Sequence, residues 1–120
     1  MSHPVVHWEI GAADPDALSG FYEKLFGWSM ADVDRSYTLV ETGDGGLPGG
    51  LMRTPQGVPP YATIYVGTDD LARTLEHAVE LGGVVVVPPT EVSASMSFAM
   101  LADPQGVVVG LLRQAGRGAA

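Results

Sequence analysis

Cysteine is absent from this chain of 120 residues. Its absence excludes disulfides, thiolate nucleophiles and cysteine-based zinc sites together. Positive charge is scarce: six Lys and Arg stand against fourteen Asp and Glu, giving a formal net charge of −8. Nucleic-acid recognition depends on clustered Lys and Arg, so no nucleic-acid partner is expected. Long apolar runs are missing too. The longest, Val84–Pro89, falls far short of the roughly 20 residues needed to cross a bilayer, so no membrane partner is expected. The opening MSHPVVHWEI has neither the charged start nor the apolar stretch of a secretory leader, which makes a cytoplasmic location the expectation. What remains is a globular composition, 46% hydrophobic and 17% charged, at a length that suits one ordinary domain.

The most informative stretch is Val6–Trp28, VHWEIGAADPDALSGFYEKLFGW. Alternation over residues 3–10 predicts a strand with Val6, Trp8 and Ile10 on one face and Val5, His7 and Glu9 on the other. Asp14 suits a helix N-cap, Pro15 the first helical position and Asp16 the positive helix end. Leu18, Phe21, Tyr22 and Leu25 follow at helical spacing and predict one buried stripe. Gly27 supplies a left-handed stop, and Trp28 is expected to pack between helix and sheet.

Tyr37–Thr42 reads as a strand, Gly43-Asp44-Gly45-Gly46 as a turn, and the stretch to Arg53 as a returning strand. Pro48 cannot donate a ladder hydrogen bond, which predicts an edge or a bulge there. TPQGVPP, residues 54–60, reads as a linker. A second strand then begins at Tyr61, with Ala62, Ile64 and Val66 expected on its apolar face and Tyr61, Thr63 and Tyr65 opposite. Thr68 or Asp69 is expected to cap a helix whose stripe is Leu71, Leu75, Ala78 and Val79 and whose stop is Gly82-Gly83. Val84–Val87 reads as a buried strand stopped by Pro88-Pro89. Ser95–Ala102 reads as another, with Met96, Phe98 and Met100 as core beneath the helices. Asp103-Pro104-Gln105-Gly106 fits a type I turn before the last strand, Val107–Arg113.

The segments GLPGGLMR at Gly46–Arg53 and GVVVGLLR at Gly106–Arg113 resemble each other, and each closes one strand–helix–strand–strand–strand unit. The chain therefore reads as a single domain, 1–120: module one over about 4–53, linker 54–60, module two over about 61–113, and a frayed tail 114–120.

His7, Asp14, Phe21-Tyr22 and Gly27-Trp28, followed by Gly82-Gly83 and Asp103-Pro104-Gln105-Gly106, resemble the paired modules of the vicinal oxygen chelate superfamily. That group includes glyoxalase I, extradiol dioxygenases and the bleomycin- and fosfomycin-resistance proteins. The resemblance implies an α+β fold of two βαβββ modules forming an open, cup-shaped mixed sheet with helices outside, often in a homodimer. Metal-dependent members carry a histidine on the first strand of each module and a carboxylate on the last. By the resemblance these positions fall on His7, Thr63, Gly50 and Gly110, so one of four ligands is kept. A divalent metal needs about three protein ligands, and no metal or other cofactor is expected.

His7, Glu9, Tyr61, Thr63 and Tyr65, with Met52 and Leu112 beside the glycines, are the expected lining of the cup, with Gly50 and Gly110 leaving open volume. Aromatic surface with a few polar groups suits a small-molecule site. The reading is a metal-independent binding protein for a partly apolar small molecule. The alternatives are a glyoxalase-like or dioxygenase-like enzyme, using His7 with other ligands or His7 and Glu9 as an acid–base pair, and a dimeric interaction subunit without a ligand.

Overall fold

The computed structural model describes residues 2–34 and 36–114. The elements run β1 (Val5–Ala12), α1 (Pro15–Phe26), β2 (Ser29–Asp34), β3 (Tyr37–Glu41), β4 (Gly49–Arg53), β5 (Tyr61–Gly67), α2 (Leu71–Glu80), β6 (Val84–Ser93), β7 (Met96–Ala102) and β8 (Val108–Gln114). The α+β class and the two successive βαβββ modules are as the sequence predicts; β2, whose SMADVD carries little strand signal, is the element that pattern reading misses. All but the first residue of the expected frayed tail lies outside the described residues, and that first residue, Gln114, belongs to β8.

Two compact units form: one spans His7–Thr63, and the other joins the residues up to Val6 to those from Ile64 onward. In the first unit the strand order is β2-β3-β4-β1. Strands β2 and β3 pair antiparallel, as do β3 and β4, whereas β4 runs parallel to β1 with Glu9 opposite Gly50. The expectation of an edge or bulge at Pro48 is wrong. Strand β4 begins after the proline, at Gly49, and lies between β3 and β1, so the missing donor falls outside the ladder.

Helix α1 starts and stops as its sequence dictates. The Asp14 carboxylate accepts from the Ala17 amide at 3.2 Å, Pro15 occupies the first turn, and Gly27 adopts φ +73°. Its expected stripe is only partly covered, however: Phe21 and Leu25 are exposed, as is Phe26. The rings here form a half-buried chain instead. Trp28 stands 5.4 Å from Trp8, 5.2 Å from Tyr22 and 5.0 Å from Phe26. Trp8 thus faces α1 as predicted, its ring lying where a Cβ of Gly49 would project and its Nε1 donating to Leu47 O at 2.8 Å. Val40 and Leu51, fully buried, share this helix-facing side of the sheet.

The second unit repeats the plan with β5-β8-β7-β6. Leu71 and Leu75 of α2 pack on Ala99 and Leu111, with Val66 and Leu101 at the margin. The cap is Asp70, not Thr68 or Asp69: its carboxylate accepts from Arg73 N at 3.0 Å. Thr68 supports the loop instead, its hydroxyl 2.8 Å from that of Thr74. Val79 is exposed, so the helix buries a narrower stripe than predicted. Asp103 O accepts from Gly106 N at 2.8 Å, closing the expected turn.

Three burial expectations fail in these strands. Strand β6 is neither buried nor stopped at Pro88: it is exposed, runs on to Ser93, and ends its strand order. An outermost strand has solvent on one side, where a proline costs no ladder bond. In β7, Ala99 and Leu101 form the helix-facing core, and alternation turns Met96, Phe98 and Met100 to the opposite face. In β5, Thr63 and Tyr65 are buried while Ala62 and Ile64 are exposed.

Candidate functional site

The face of the first unit turned away from α1 gathers most of the expected residues. Register places Glu9 beside Gly50, Gly11 beside Met52, Tyr37 across from Met52 and Leu39 across from Gly50. Two tyrosines, each bonded to a residue distant in sequence, organise this surface.

Tyr37 reaches from β3 across β4 to β1, and its hydroxyl shares a 2.8 Å hydrogen bond with His7 Nε2. The crossing is possible because position 50 is glycine: a Cβ there would collide with the phenol ring and its oxygen. The two rings lie nearly parallel, 20° apart in plane with centroids at 6.4 Å. Tyr61 makes the matching bridge, passing over Gly11 to donate to Glu9 Oε2 at 2.6 Å, with Met52 Sδ at 3.6 Å from the same hydroxyl. Sequence reasoning did not assign Tyr37 to the site. Its available signal was a tyrosine opening a strand whose partner strand begins Gly-Gly, the pairing in which an aromatic ring covers a glycine.

Charge in this cluster is shielded from water. Glu9 is only 4% exposed, and an ionised carboxylate so placed requires donors. Burial holds the His7 imidazole below its ordinary pKa, with the nearby Glu9 charge pulling the other way. Burial and the hydrogen bond to Glu9 together push the Tyr61 phenol upward, so at neutral pH it is a proton donor. The arrangement offers a neutral imidazole and a bonded carboxylate beside Met52, Leu39 and two aromatic rings.

The sequence-predicted residues divide between the units. His7, Glu9, Met52, Tyr61 and Thr63 lie in the first, Thr63 being 9% exposed. Tyr65 and Leu112 lie in the second, where the Tyr65 ring packs directly over Gly110 of β8. The expectation of open volume at Gly50 and Gly110 is therefore wrong at both: Tyr37 fills the first space and Tyr65 the second.

A resident divalent metal at the superfamily's four positions does not fit these residues. His7 Nε2 is engaged by a phenol, Thr63 offers a neutral hydroxyl, and the space beside each glycine is taken by an aromatic ring. Among the described residues, no group of three or more His, Asp or Glu is placed to hold a metal ion.

A groove of about 1010 Å³ lies elsewhere, in the second unit, bordered by His3, Thr68, Arg73, His77 and Gln114. Several of its polar groups serve the fold: His3 Nδ1 is 3.1 Å from Gly67 O, and Thr68 bonds Thr74. Its width records an open trough, whereas the His7–Glu9 face has the shielded ionisable groups that chemistry or selective binding requires.

A βαβββ unit in duplicate points to a class as well as a fold. The chain belongs to the Glyoxalase/Bleomycin resistance protein/Dioxygenase superfamily, whose family model matches residues 5–111. It is 32% identical over 106 residues to "Putative glyoxylase CFP32" of Mycobacterium tuberculosis, covering 84% of this chain and 40% of that protein. It is 29% identical over 126 residues to the anthracycline biosynthesis protein DnrV of Streptomyces peucetius, covering 89% and 46%. The chain thus spans less than half the length of these relatives. Among solved structures, methylmalonyl-CoA epimerase from Mycobacterium tuberculosis superposes with a TM-score of 0.72 at 16% identity, covering 96% of this chain and 90% of that one. At that identity the likeness establishes the fold. No helix among the described residues is long and apolar enough to cross a membrane.

Proposed function

We propose that this chain is a metal-independent binding protein that takes a partly apolar small molecule on the His7–Glu9 face, as a cytoplasmic homodimer. One observation carries the reading: two half-buried phenol bridges, Tyr37 to His7 and Tyr61 to Glu9, fix polar groups beside Met52 and Leu39. Fixed polar groups among apolar ones orient a small ligand without further ordering cost. The family includes drug-binding members, and a relative named for anthracycline biosynthesis makes planar, hydroxylated aromatics the first ligands to try.

The test joins elemental analysis to a thermal-shift screen. Purified, dialysed protein is expected to retain far less than one equivalent of Zn, Fe, Ni or Mn, and at least one aromatic compound is expected to raise its melting temperature. Stoichiometric retained metal sinks the metal-independent claim. A screen without a single stabilising compound sinks the binding claim and favours an interaction subunit. Light scattering checks the dimer.

A second reading has one observation in its favour. The His7 imidazole, held neutral by burial beside Glu9, is in the protonation state a general base needs. It predicts that any turnover found in a substrate screen disappears in His7→Gln while ligand binding survives.

A further inference from the structure

Helix α1 presents two neighbouring ridges to solvent, each made of residues four apart. The first is Ala17, Phe21 and Leu25, with Phe21 56% and Leu25 57% exposed. The second is Asp16, Gly20 and Lys24, acidic in the first turn and basic in the last. Residues at i, i+4 and i+8 line up along one side of a helix. At 3.6 residues per turn the two ridges flank the direction opposite Pro15, the buried residue of α1. Five of the six are exposed, and a Cβ on the half-exposed Gly20 would meet nothing within 4 Å. Asp16 and Lys24 are two turns apart, roughly 12 Å, so they do not pair within one helix. Two large apolar side chains in one ridge, beside an ordered ridge of opposite charges, form a contact surface.

The surface is complementary to itself. Phe21 is the midpoint of one ridge and Gly20 the midpoint of the other, at nearly the same height on the helix. A two-fold axis across the helix at that level lays each ridge against its own copy with the direction reversed. Ala17 then faces Leu25 of the second copy, small against large, and Asp16 faces its Lys24. Symmetry makes each contact twice. Phe21 meets its counterpart as a ring pair, and Gly20 has no side chain to hold the backbones apart. The reversed direction also sets opposite ends of the two helix dipoles side by side. A parallel arrangement would instead oppose Lys24 to Lys24 and Asp16 to Asp16.

We infer that α1 is the docking surface for a second copy of this chain, joined antiparallel about a two-fold axis at the level of Gly20 and Phe21. The His7–Glu9 face is turned away from α1, so this contact leaves it uncovered. The inference rests on the homodimer proposed above and gives that dimer its face.

Two measurements on the full chain test it. A single helix buries less than the ~800 Å² per partner of a standard interface, so sedimentation equilibrium is followed from about 1 µM to about 300 µM. Lys24→Glu opposes like charges twice and is expected to raise the dimer dissociation constant at least about tenfold. Asp16→Lys combined with Lys24→Glu exchanges the charges and is expected to restore it to within about threefold of the native value. Crosslinking is unambiguous because the chain has no cysteine. Ala17→Cys and Leu25→Cys chains are oxidised separately and as a mixture. The mixed disulfide is expected to exceed either same-position disulfide at least about fivefold. Positions 17 and 25 oppose each other, whereas two copies of residue 17 stand about 12 Å apart along the helix, beyond the reach of a disulfide. If the charge-exchanged variant does not fold, the crosslinking pattern decides alone. A dimer that forms without the mixed crosslink, or that is indifferent to Lys24→Glu, overturns the inference and leaves the homodimer standing on another face. A chain that is monomeric throughout the range overturns both and gives the apolar ridge to a different partner.

Discussion

Substituting Gly50 by alanine tests the central geometric claim, that the Tyr37–His7 bridge exists because position 50 has no side chain. The new Cβ would meet the Tyr37 ring and hydroxyl well inside van der Waals contact. Tyr37 must swing away, and its 2.8 Å bond to His7 Nε2 breaks with the movement. Forcing an extra methyl into a packed site costs about 1–3 kcal/mol, and losing the hydrogen bond adds about 1 kcal/mol. Alanine returns about 0.4–1 kcal/mol by restricting the unfolded chain. The net expectation is a loss of about 1–3 kcal/mol, read from urea denaturation midpoints at constant slope. A double-mutant cycle sharpens the test. In a Tyr37→Ala background the obstacle is gone, so Gly50→Ala should be neutral or slightly stabilising, giving a coupling of at least about 1 kcal/mol between the two positions. Equal costs in both backgrounds would refute the claim that the ring occupies this space. A folded, fully stable Gly50→Ala single variant would do the same.

Three further outcomes are expected. Tyr61→Phe leaves the buried Glu9 carboxylate without its phenol donor and should cost about 1.5–3 kcal/mol by chemical denaturation, the usual range for a hydrogen bond to a charged group. Because His7 is held below its ordinary pKa in the folded protein, the unfolded chain binds the extra proton first on acidification. Stability should therefore decline as pH falls below about 6.5, and His7→Gln should flatten that decline in denaturation series from about pH 8 to about pH 5. At α2, Asp70→Ala should cost about 1 kcal/mol while Asp69→Ala stays within about 0.5 kcal/mol, because Asp70 alone caps the helix through Arg73 N. Equal effects at the two positions would contradict the observed cap.

Local chemistry made much of the fold legible. Asp14-Pro15, Gly27 and Asp103-Pro104-Gln105-Gly106 each act on backbone groups within a few residues of themselves, and each behaves as its sequence implies. The duplicated closing segments likewise announced two similar units. Signals of this kind fail where the outcome depends on a distant partner. Alternation correctly set Trp8 apart from His7 and Glu9, yet it could not say that Glu9 would be the more buried side chain. Phe21 and Leu25 have the spacing of a buried stripe but remain exposed, although Phe21 meets the Tyr22 ring edge-on at 5.1 Å.

The site shows the same division. Sequence by itself determined the family and the paired modules, and it placed glycines at positions 50 and 110. Only tertiary structure decided what those glycines do. Tyr37 is 30 residues from His7, and Tyr61 is 52 residues from Glu9. No pattern of neighbouring residues encodes those meetings, because strand register brings them together. A glycine without a side chain is read from sequence as empty space. In the folded protein it is the place where a ring from another strand crosses, and at Gly50 that crossing brings the Tyr37 hydroxyl to the His7 imidazole.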